Sequence, residues 1–566
     1  MNILGIHIGH DSAAAVVVDG RIVADVAEER FTRIKHYCGL PYRSVGYCLN
    51  QANLTFHDID VIAVPTSGPL SGLKYLFNGH LGREERSVPG RILEAIKKIL
   101  NHSTRKLPLY KRGYPLGAQT DIMHFDHHKA HAASAYYTSG VADRQLVVTM
   151  DGAGDGASVC LWRGENGKLS LLKRFPTSAS LGWFYGNVTE ALGWWHGDGE
   201  GKTMGLAPYG DYTPMKGQLD RFYPKFVGGE LVEPHNFGRA FYWNEGEALH
   251  WHFDEASEIL CLIEKFGKEC VAAEAQRVLE EQVKELIFPW LERERTHNLS
   301  CAGGLFLNVK LNQRVWESGE IELHHIFPNA GDSGVAAGAA LCAYYELNPG
   351  SKIWKIEDLY LGPSYSNEEI ANILKERNLP HQFREDVEEY TAKLLAADNI
   401  VGFLQGRMES GPRALGNRSI LMSANRKENK DIINARVKFR EPFRPFCPSL
   451  LYEKRKDYLL HSREESFMIT SFNVTDQRRD KVPAVVHVDG TLRPQTVRKQ
   501  VNQRYWKLIN EFGKLTGEFL LLNTSFNIMG EPIVCNPKEA IRCFYDSGID
   551  ALVLGDYVLE KPSLRK

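Results

Sequence analysis

One pattern occurs twice in the first third of the chain and constrains its fold more than any other feature: strand, turn rich in glycine and aspartate, strand, tight turn, strand. The first copy has an apolar strand at 3–8, the turn Gly9-His10-Asp11-Ser12, a strand at 13–18, the hairpin signal Asp19-Gly20 and a strand at 21–27. The second has a strand at 146–150, the turn Asp151-Gly152-Ala153-Gly154-Asp155-Gly156, a strand at 157–162, the turn Glu165-Asn166-Gly167 and a strand at 169–172. Aligning Asp11 with Asp155 superposes the copies. Self-similarity on this scale predicts a duplicated fold rather than a solenoid.

Two such halves facing one cleft predict an actin-like nucleotide-binding domain. Backbone N–H groups in the turns can face a phosphate, and the carboxylates can hold its metal. This domain is expected over 1–350, ending near Leu347-Asn348-Pro349-Gly350. A second α/β domain is expected over 351–566, its body starting near Gly362. There Ser366-Asn367-Glu368-Glu369 reads as a capping box opening a helix with Ile370, Ile373 and Leu374 on one face, and 401–404 reads as a strand.

Composition excludes several classes. With 43% apolar and 24% charged residues in 566, the chain is neither disordered nor fibrous. Its 68 basic and 70 acidic side chains leave −2, so whole-chain charge predicts no nucleic-acid or membrane partner. No stretch is apolar for long enough to span a bilayer. Met1-Asn2-Ile3-Leu4 enters an apolar run without a basic region, so no signal peptide is expected. The ten Cys form no C-x-x-C pair and read as reduced thiols of a cytoplasmic protein.

Four histidines fall within His124-Phe125-Asp126-His127-His128-Lys129-Ala130-His131. Asp126 suits an N-cap, the Ala-rich sequence that follows favours a helix, and Gly140 can end it. On that helix His127 and His131 share one face while His128 points elsewhere. Two imidazoles with carboxylates make a site for a divalent transition metal, and Asp151 and Asp332, each at a turn, are the candidates. Solvated rings at a His-rich helix start are the plainer reading of the same residues.

Residues 401–450 hold ten Lys or Arg against four acids. Their centre is Gly406-Arg407-Met408-Glu409-Ser410-Gly411-Pro412-Arg413-Ala414-Leu415-Gly416-Asn417-Arg418, followed later by Lys438-Phe439-Arg440-Glu441-Pro442-Phe443-Arg444-Pro445-Phe446. Arg offers forked donors to phosphate or carboxylate. Two anionic substrates held 4 Å apart repel by about 4 kcal/mol per unit pair at intermediate dielectric, so several cations are needed. A basic RNA-binding face would interleave aromatic stacking platforms, which this run lacks. The basic stretch 83–112 and the aromatic-rich stretch 209–253, with Tyr242, Trp243 and Trp251, suggest an acceptor region less firmly than a buried core.

These residues resemble the NodU-like O-carbamoyltransferases of antibiotic and nodulation-factor biosynthesis. The markers are Gly9-His10-Asp11-Ser12-Ala13, Glu28-Glu29-Arg30-Phe31, His127-His128-Lys129-Ala130-His131, Gly201-Lys202-Thr203-Met204-Gly205-Leu206-Ala207, Gly411-Pro412-Arg413-Ala414-Leu415-Gly416, Phe443-Arg444-Pro445-Phe446 and Leu522-Asn523-Thr524-Ser525-Phe526-Asn527. The resemblance implies an N-terminal domain similar to the metal-containing threonylcarbamoyl transferase that acts on tRNA. It implies a C-terminal twisted α/β domain similar to YrdC. The implied chemistry forms carbamoyl-adenylate from carbamoyl phosphate and ATP, then transfers the carbamoyl group to a hydroxyl of a small-molecule acceptor. By the same resemblance Arg413, Lys438, Arg444, Arg493 and Asn523 bind carbamoyl phosphate and the ATP phosphates, with Mg²⁺ accompanying ATP. His127, His131, Asp151 and Asp332 bind Fe(II) or another divalent transition metal. His10 is the general base, Lys35 faces the transfer site, and Gly303, Gly304, Asn308 and Asp332 hold the adenylate.

Two other functions share these folds: a fused tRNA-modifying threonylcarbamoyl enzyme, and an actin-like ATP-driven binding protein. Net charge argues against the first, and the Arg cluster has no task in the second. No membrane partner is expected, and a homodimer is left open.

Overall fold

The structure, a computed structural model, describes residues 1–66, 120–242 and 250–562. It divides into two compact units. Met1–Glu29 and His36–Ile356 form the first; Arg30–Lys35 and Glu357–Lys566 form the second.

The first unit contains two five-stranded sheets of the same design. In one, β3 (Arg21–Ala27), β2 (Ala13–Val18) and β1 (Asn2–His7) run antiparallel in that order, and β4 (Val61–Val64) and β5 (Asp121–His124) continue parallel to β1. In the other, β8 (Lys168–Pro176), β7 (Ala157–Glu165) and β6 (Gln145–Gly154) take the antiparallel places, and strands Asn298–Ala302 and Leu323–Ile326 the parallel ones. The tight turns at Asp19-Gly20 and Asn166-Gly167 hold their central residues at positive φ, as two-residue hairpins require. The unit is mixed α/β, in an arrangement consistent with the actin-like duplication that the repeat predicts.

Two helices pack on each other, one against the first sheet and the other against the second. Helix Val335–Leu347 is buried on nearly every side, and its Ala and Gly residues let it cross helix His127–Tyr136 closely. A Cβ at Gly338 would stand 2.0 Å from the Ala130 carbonyl oxygen, so only glycine fits that crossing. Of the aromatic stretch, Phe222, Phe226 and Phe253 are buried, whereas Tyr209 and Tyr212 are exposed. Trp243 and the basic stretch 83–112 fall outside the described residues.

The second unit is built on an eight-stranded mixed sheet. Its strand order is Gln382–Phe383, Tyr557–Glu560, Ala551–Leu554, Val401–Leu404, Arg418–Ser423, Leu520–Ser525, Cys447–Leu451, Gln495–Val497. Helices Val387–Ala396 and Gln503–Thr516 cover it through Leu395, Leu508 and Phe512, which pack on Val401, Phe403 and Leu521. The capping box at Ser366 and Glu369 is formed and opens helix Asn367–Glu376, with Ile370 and Leu374 buried. Arg30–Lys35 belongs here because Arg30 donates to the Gly411 carbonyl at 2.8 Å and Arg33 to Ile533 at 2.7 Å, while Phe31 packs on Met408 and Ile533.

Arg418 is a structural cation. It is wholly buried, and its guanidinium donates to the carbonyls of Gln405 at 2.7 Å, Asn417 at 2.8 Å, Pro363 at 2.8 Å and Cys535 at 3.2 Å. Arg418→Ala would strand those acceptors and leave a cavity, each stranded group costing about 1–3 kcal/mol. A urea melt is expected to show a loss of at least about 3 kcal/mol, by the same reckoning. A loss under about 1 kcal/mol would mean that water reaches the carbonyls.

Candidate functional site

The metal-type donors meet at one end of helix His127–Tyr136. Asp126 caps the helix, its side chain accepting from Lys129 N. The i, i+4 spacing then brings His127 against His131 edge to face, with Nε2 atoms 3.1 Å apart. In β6 the ladder register shifts between Met150 and Gly154, which pushes Asp151 out of the sheet. Its Oδ2 lies 3.3 Å from His127 Nε2 and 3.2 Å from His131 Nε2. Gly154 makes this possible, since a Cβ there would stand 2.0 Å from the His127 ring. Asp332, in the short turn before helix Val335–Leu347, brings Oδ1 to 3.7 Å from both imidazoles.

One donor atom from each of these four residues lies within 4.8 Å of the others. Two nitrogens facing each other at 3.1 Å cannot both carry protons there, while two carboxylates supply the charge that a dication needs. The residues present therefore fit a divalent transition metal. His128 does not join them. It is fully buried, with Nδ1 3.0 Å or less from Thr149 Oγ1 (2.9 Å) and Nε2 3.1 Å from the Ala157 carbonyl. Burial and the neighbouring His127 and His131 push its pKa down to about 3, so it is neutral.

His10 adjoins this set through Asp332, whose Oδ2 is 3.2 Å from His10 Nε2. The other ring nitrogen, Nδ1, is 3.0 Å from Asp11 Oδ2. Desolvation opposes charge on the ring, but Asp332 and Asp11 outweigh it and raise the pKa to about 9. Beneath it, burial pushes His7 down to about 4, and His7 Nε2 lies 3.0 Å from the His10 carbonyl, fixing the turn. Sequence reasoning did not single out His36, whose Nδ1 is 2.7 Å from Asp11 Oδ1. No spacing signal links residues 11 and 36; the contact is tertiary.

Gly303 and Gly304 follow strand Asn298–Ala302, and a Cβ on Gly304 would stand 3.2 Å from Asp151 Oδ1. Asn308 caps helix Val309–Trp316 through Leu311 N at 3.0 Å and donates to Gln276 at 2.9 Å. Lys35 ends the Arg30–Lys35 segment that packs in the second unit.

In the second unit Arg413, Arg440, Arg444 and Arg493 gather around Cys447. Burial pushes Arg413 down to about 9, with Arg493 and Arg444 adding repulsion. Arg440 falls to about 9 in the same way, through burial and Arg444. Arg493 Nε lies 2.9 Å from Cys447 Sγ, Arg440 donates to Thr524 Oγ1 at 3.2 Å, and the carboxylate paired with Arg444 is Glu441 at 3.7 Å. Guanidinium groups this hard to keep charged mark a place prepared for an anion. Arg440 was counted in the basic run but not singled out.

Asn523 sits in the same sheet region, donating to the Ala414 carbonyl at 3.1 Å and to Ser449 Oγ at 2.9 Å. Lys438 is buried and spends its ammonium on Ser525 O at 2.6 Å, Asn527 O at 2.9 Å and Asn527 Oδ1 at 2.7 Å. It fixes the loop after strand Leu520–Ser525.

Comparison with known proteins places the sequence in a family. The model described as "Carbamoyltransferase N-terminus" matches residues 2–341, and "Carbamoyltransferase C-terminus" matches 392–561. Nodulation protein NolNO of Sinorhizobium fredii is 36% identical over 98% of this chain and 79% of its own length. An uncharacterised protein of Synechocystis is 34% identical over 98% of this chain and 95% of its own. Nodulation protein U of Rhizobium fredii is 28% identical over 96% and 92%. With both family models spanning most of its length, the chain belongs to the carbamoyltransferase family and is a carbamoyltransferase.

Proposed function

We propose that the chain is an ATP-dependent O-carbamoyltransferase that works in two steps at two sites. The guanidinium cluster of the second unit, read as a YrdC-like domain, carries this reading: four cations held close to one another suit substrates that are polyanions. Arg413, Arg440, Arg444, Arg493 and Asn523 bind carbamoyl phosphate and the phosphates of Mg-ATP, and Lys438 holds the loop beneath them. Water cleaves carbamoyl phosphate to carbamate and phosphate. A carbamate oxygen then attacks the α-phosphorus of ATP, pyrophosphate leaves, and carbamoyl-adenylate remains.

The first unit, read as actin-like and over residues 1–350, performs the transfer. Gly303, Gly304, Asn308 and Asp332 receive the adenylate. In its neutral form His10 takes the proton of the acceptor hydroxyl on Nε2 as that oxygen bonds to the carbamoyl carbon; because Asp332 and Asp11 hold its pKa at about 9, transfer should rise with pH toward that value. The bond from that carbon to the phosphate oxygen breaks, and AMP leaves with the electron pair. A positioned histidine contributes typically about 10²–10⁴-fold to such a step. His127, His131, Asp151 and Asp332 would hold Fe(II) or a similar dication, which supplies Lewis acidity toward the carbonyl or the leaving phosphate when bound. The acceptor is a small molecule bearing a hydroxyl, and the protein works in the cytoplasm.

The products of ATP test this. ATP, Mg²⁺ and carbamoyl phosphate without acceptor are expected to yield pyrophosphate, and only when carbamoyl phosphate is present. ADP with phosphate instead would assign the nucleotide to an actin-like binding cycle and remove adenylation.

A further inference from the structure

We infer that His36 is a positioning residue for His10, acting through Asp11. The inference rests on the role proposed for His10 and deepens it. The Asp11 carboxylate is clamped between two imidazoles: Oδ2 lies 3.0 Å from His10 Nδ1 and Oδ1 lies 2.7 Å from His36 Nδ1. Both oxygens face a δ-nitrogen, so the carboxylate orients both rings at once.

The backbone gives an independent sign that this clamp is held. Asp11 has φ 59° and His36 has φ 54°, both in the left-handed region that residues other than glycine seldom occupy. These conformations fall on both ends of one hydrogen bond. Neighbouring contacts stitch the same two loops. Ser12 N donates to the Tyr37 carbonyl at 3.0 Å, and His36 N donates to Glu29 Oε2 at 3.1 Å. His36 Nε2 faces Asp198 Oδ1 at 3.7 Å, which sets the far side of the ring.

The chemical use is orientation. A carboxylate accepting from Nδ1 keeps the proton on that nitrogen and aims Nε2 outward, the arrangement a histidine base needs. Asp11 alone has two rotatable bonds between backbone and carboxylate. His36 removes that freedom by holding the second oxygen. His10 Nε2 is then fixed beside Asp332, where the proposed transfer takes place.

Asparagine and glutamine separate this role from simple packing. His36→Asn keeps a donor at the δ position; His36→Gln moves it to the ε position. In full-length protein labelled with ¹⁵N-histidine, the hydrogen-bonded Nδ1–H proton of His10 is assigned by its loss in His10→Ala. It is expected to vanish or broaden in His36→Ala, His36→Gln and Asp11→Asn, and to return in His36→Asn. An unchanged His10 signal in folded His36→Ala would overturn the inference, as would equal loss in the Asn and Gln variants.

The reading of His10 is tested separately, by AMP release with glycerol as the probe hydroxyl. His10→Ala should lower that rate at least about a hundredfold, the low end of base catalysis. A normal rate would remove the base role and leave the clamp result standing.

Discussion

Arg413→Ala is expected to cut carbamoyl-phosphate-dependent pyrophosphate release about a hundredfold or more, while the folded protein melts no lower than wild type. The first half follows from the loss of a charge-assisted clamp on a phosphoryl group, which costs typically about 10²–10³ in rate. The second half follows from the site's electrostatics. Burial and then Arg493 and Arg444 disfavour the charged Arg413, so at neutral pH the fold carries this cation at a cost. Deleting it relieves the repulsion. Inorganic pyrophosphate, which supplies the missing counter-charge, should raise the wild-type melting temperature by more than that of the variant. A variant that melts well below wild type, with pyrophosphate protecting both equally, would make Arg413 a structural residue like Arg418.

His127→Ala is expected to divide the two steps. Metal content should fall from near-equimolar to trace, because the ion would lose one of two nitrogen donors whose Nε2 atoms lie 3.1 Å apart. Carbamoyl transfer should fall at least about a hundredfold, since a Lewis acid at such a centre contributes several kcal/mol. Pyrophosphate formation should persist, because His127 belongs to the first unit and the guanidinium cluster to the second. His131→Ala should behave alike. His128→Ala should lose stability but not metal, as its ring bonds Thr149 and the Ala157 carbonyl. Full metal occupancy in His131→Ala would remove it from the ligand set, and equal loss of both steps in His127→Ala would mean a single shared site.

Much of the fold could be read from residue order because its signals are local. Period-two apolar runs and Asp-Gly or Asn-Gly turns predict the repeat, and both sheets carry it in the same strand order. The histidine pair was equally legible, since four-residue spacing on a capped helix fixes which rings meet. The first strand of the second copy is expected to end at Met150, whereas β6 runs to Gly154, because the register shift between Met150 and Gly154 interrupts the ladder without ending the strand. What the sequence hid was where each cation spends its charge. Arg407 bonds the Leu361 carbonyl at 2.7 Å, Arg436 pairs with Asp550 at 2.5 Å, and Arg418 and Lys438 bond carbonyls. Most of those partners are set by tertiary contact rather than by local spacing, so ten basic residues in a stretch of fifty read alike until the chain is folded. The clamp on Asp11 was hidden for the same reason.

The central claim is that an acyl-adenylate is made in one unit and consumed in the other. Phosphorus NMR of His127→Ala with ATP, Mg²⁺ and carbamoyl phosphate tests it most directly, because that variant should form the adenylate and fail to use it. The account predicts pyrophosphate together with a new resonance from a mixed carbamic–phosphoric anhydride of AMP. A spectrum showing only ADP and inorganic phosphate would contradict it.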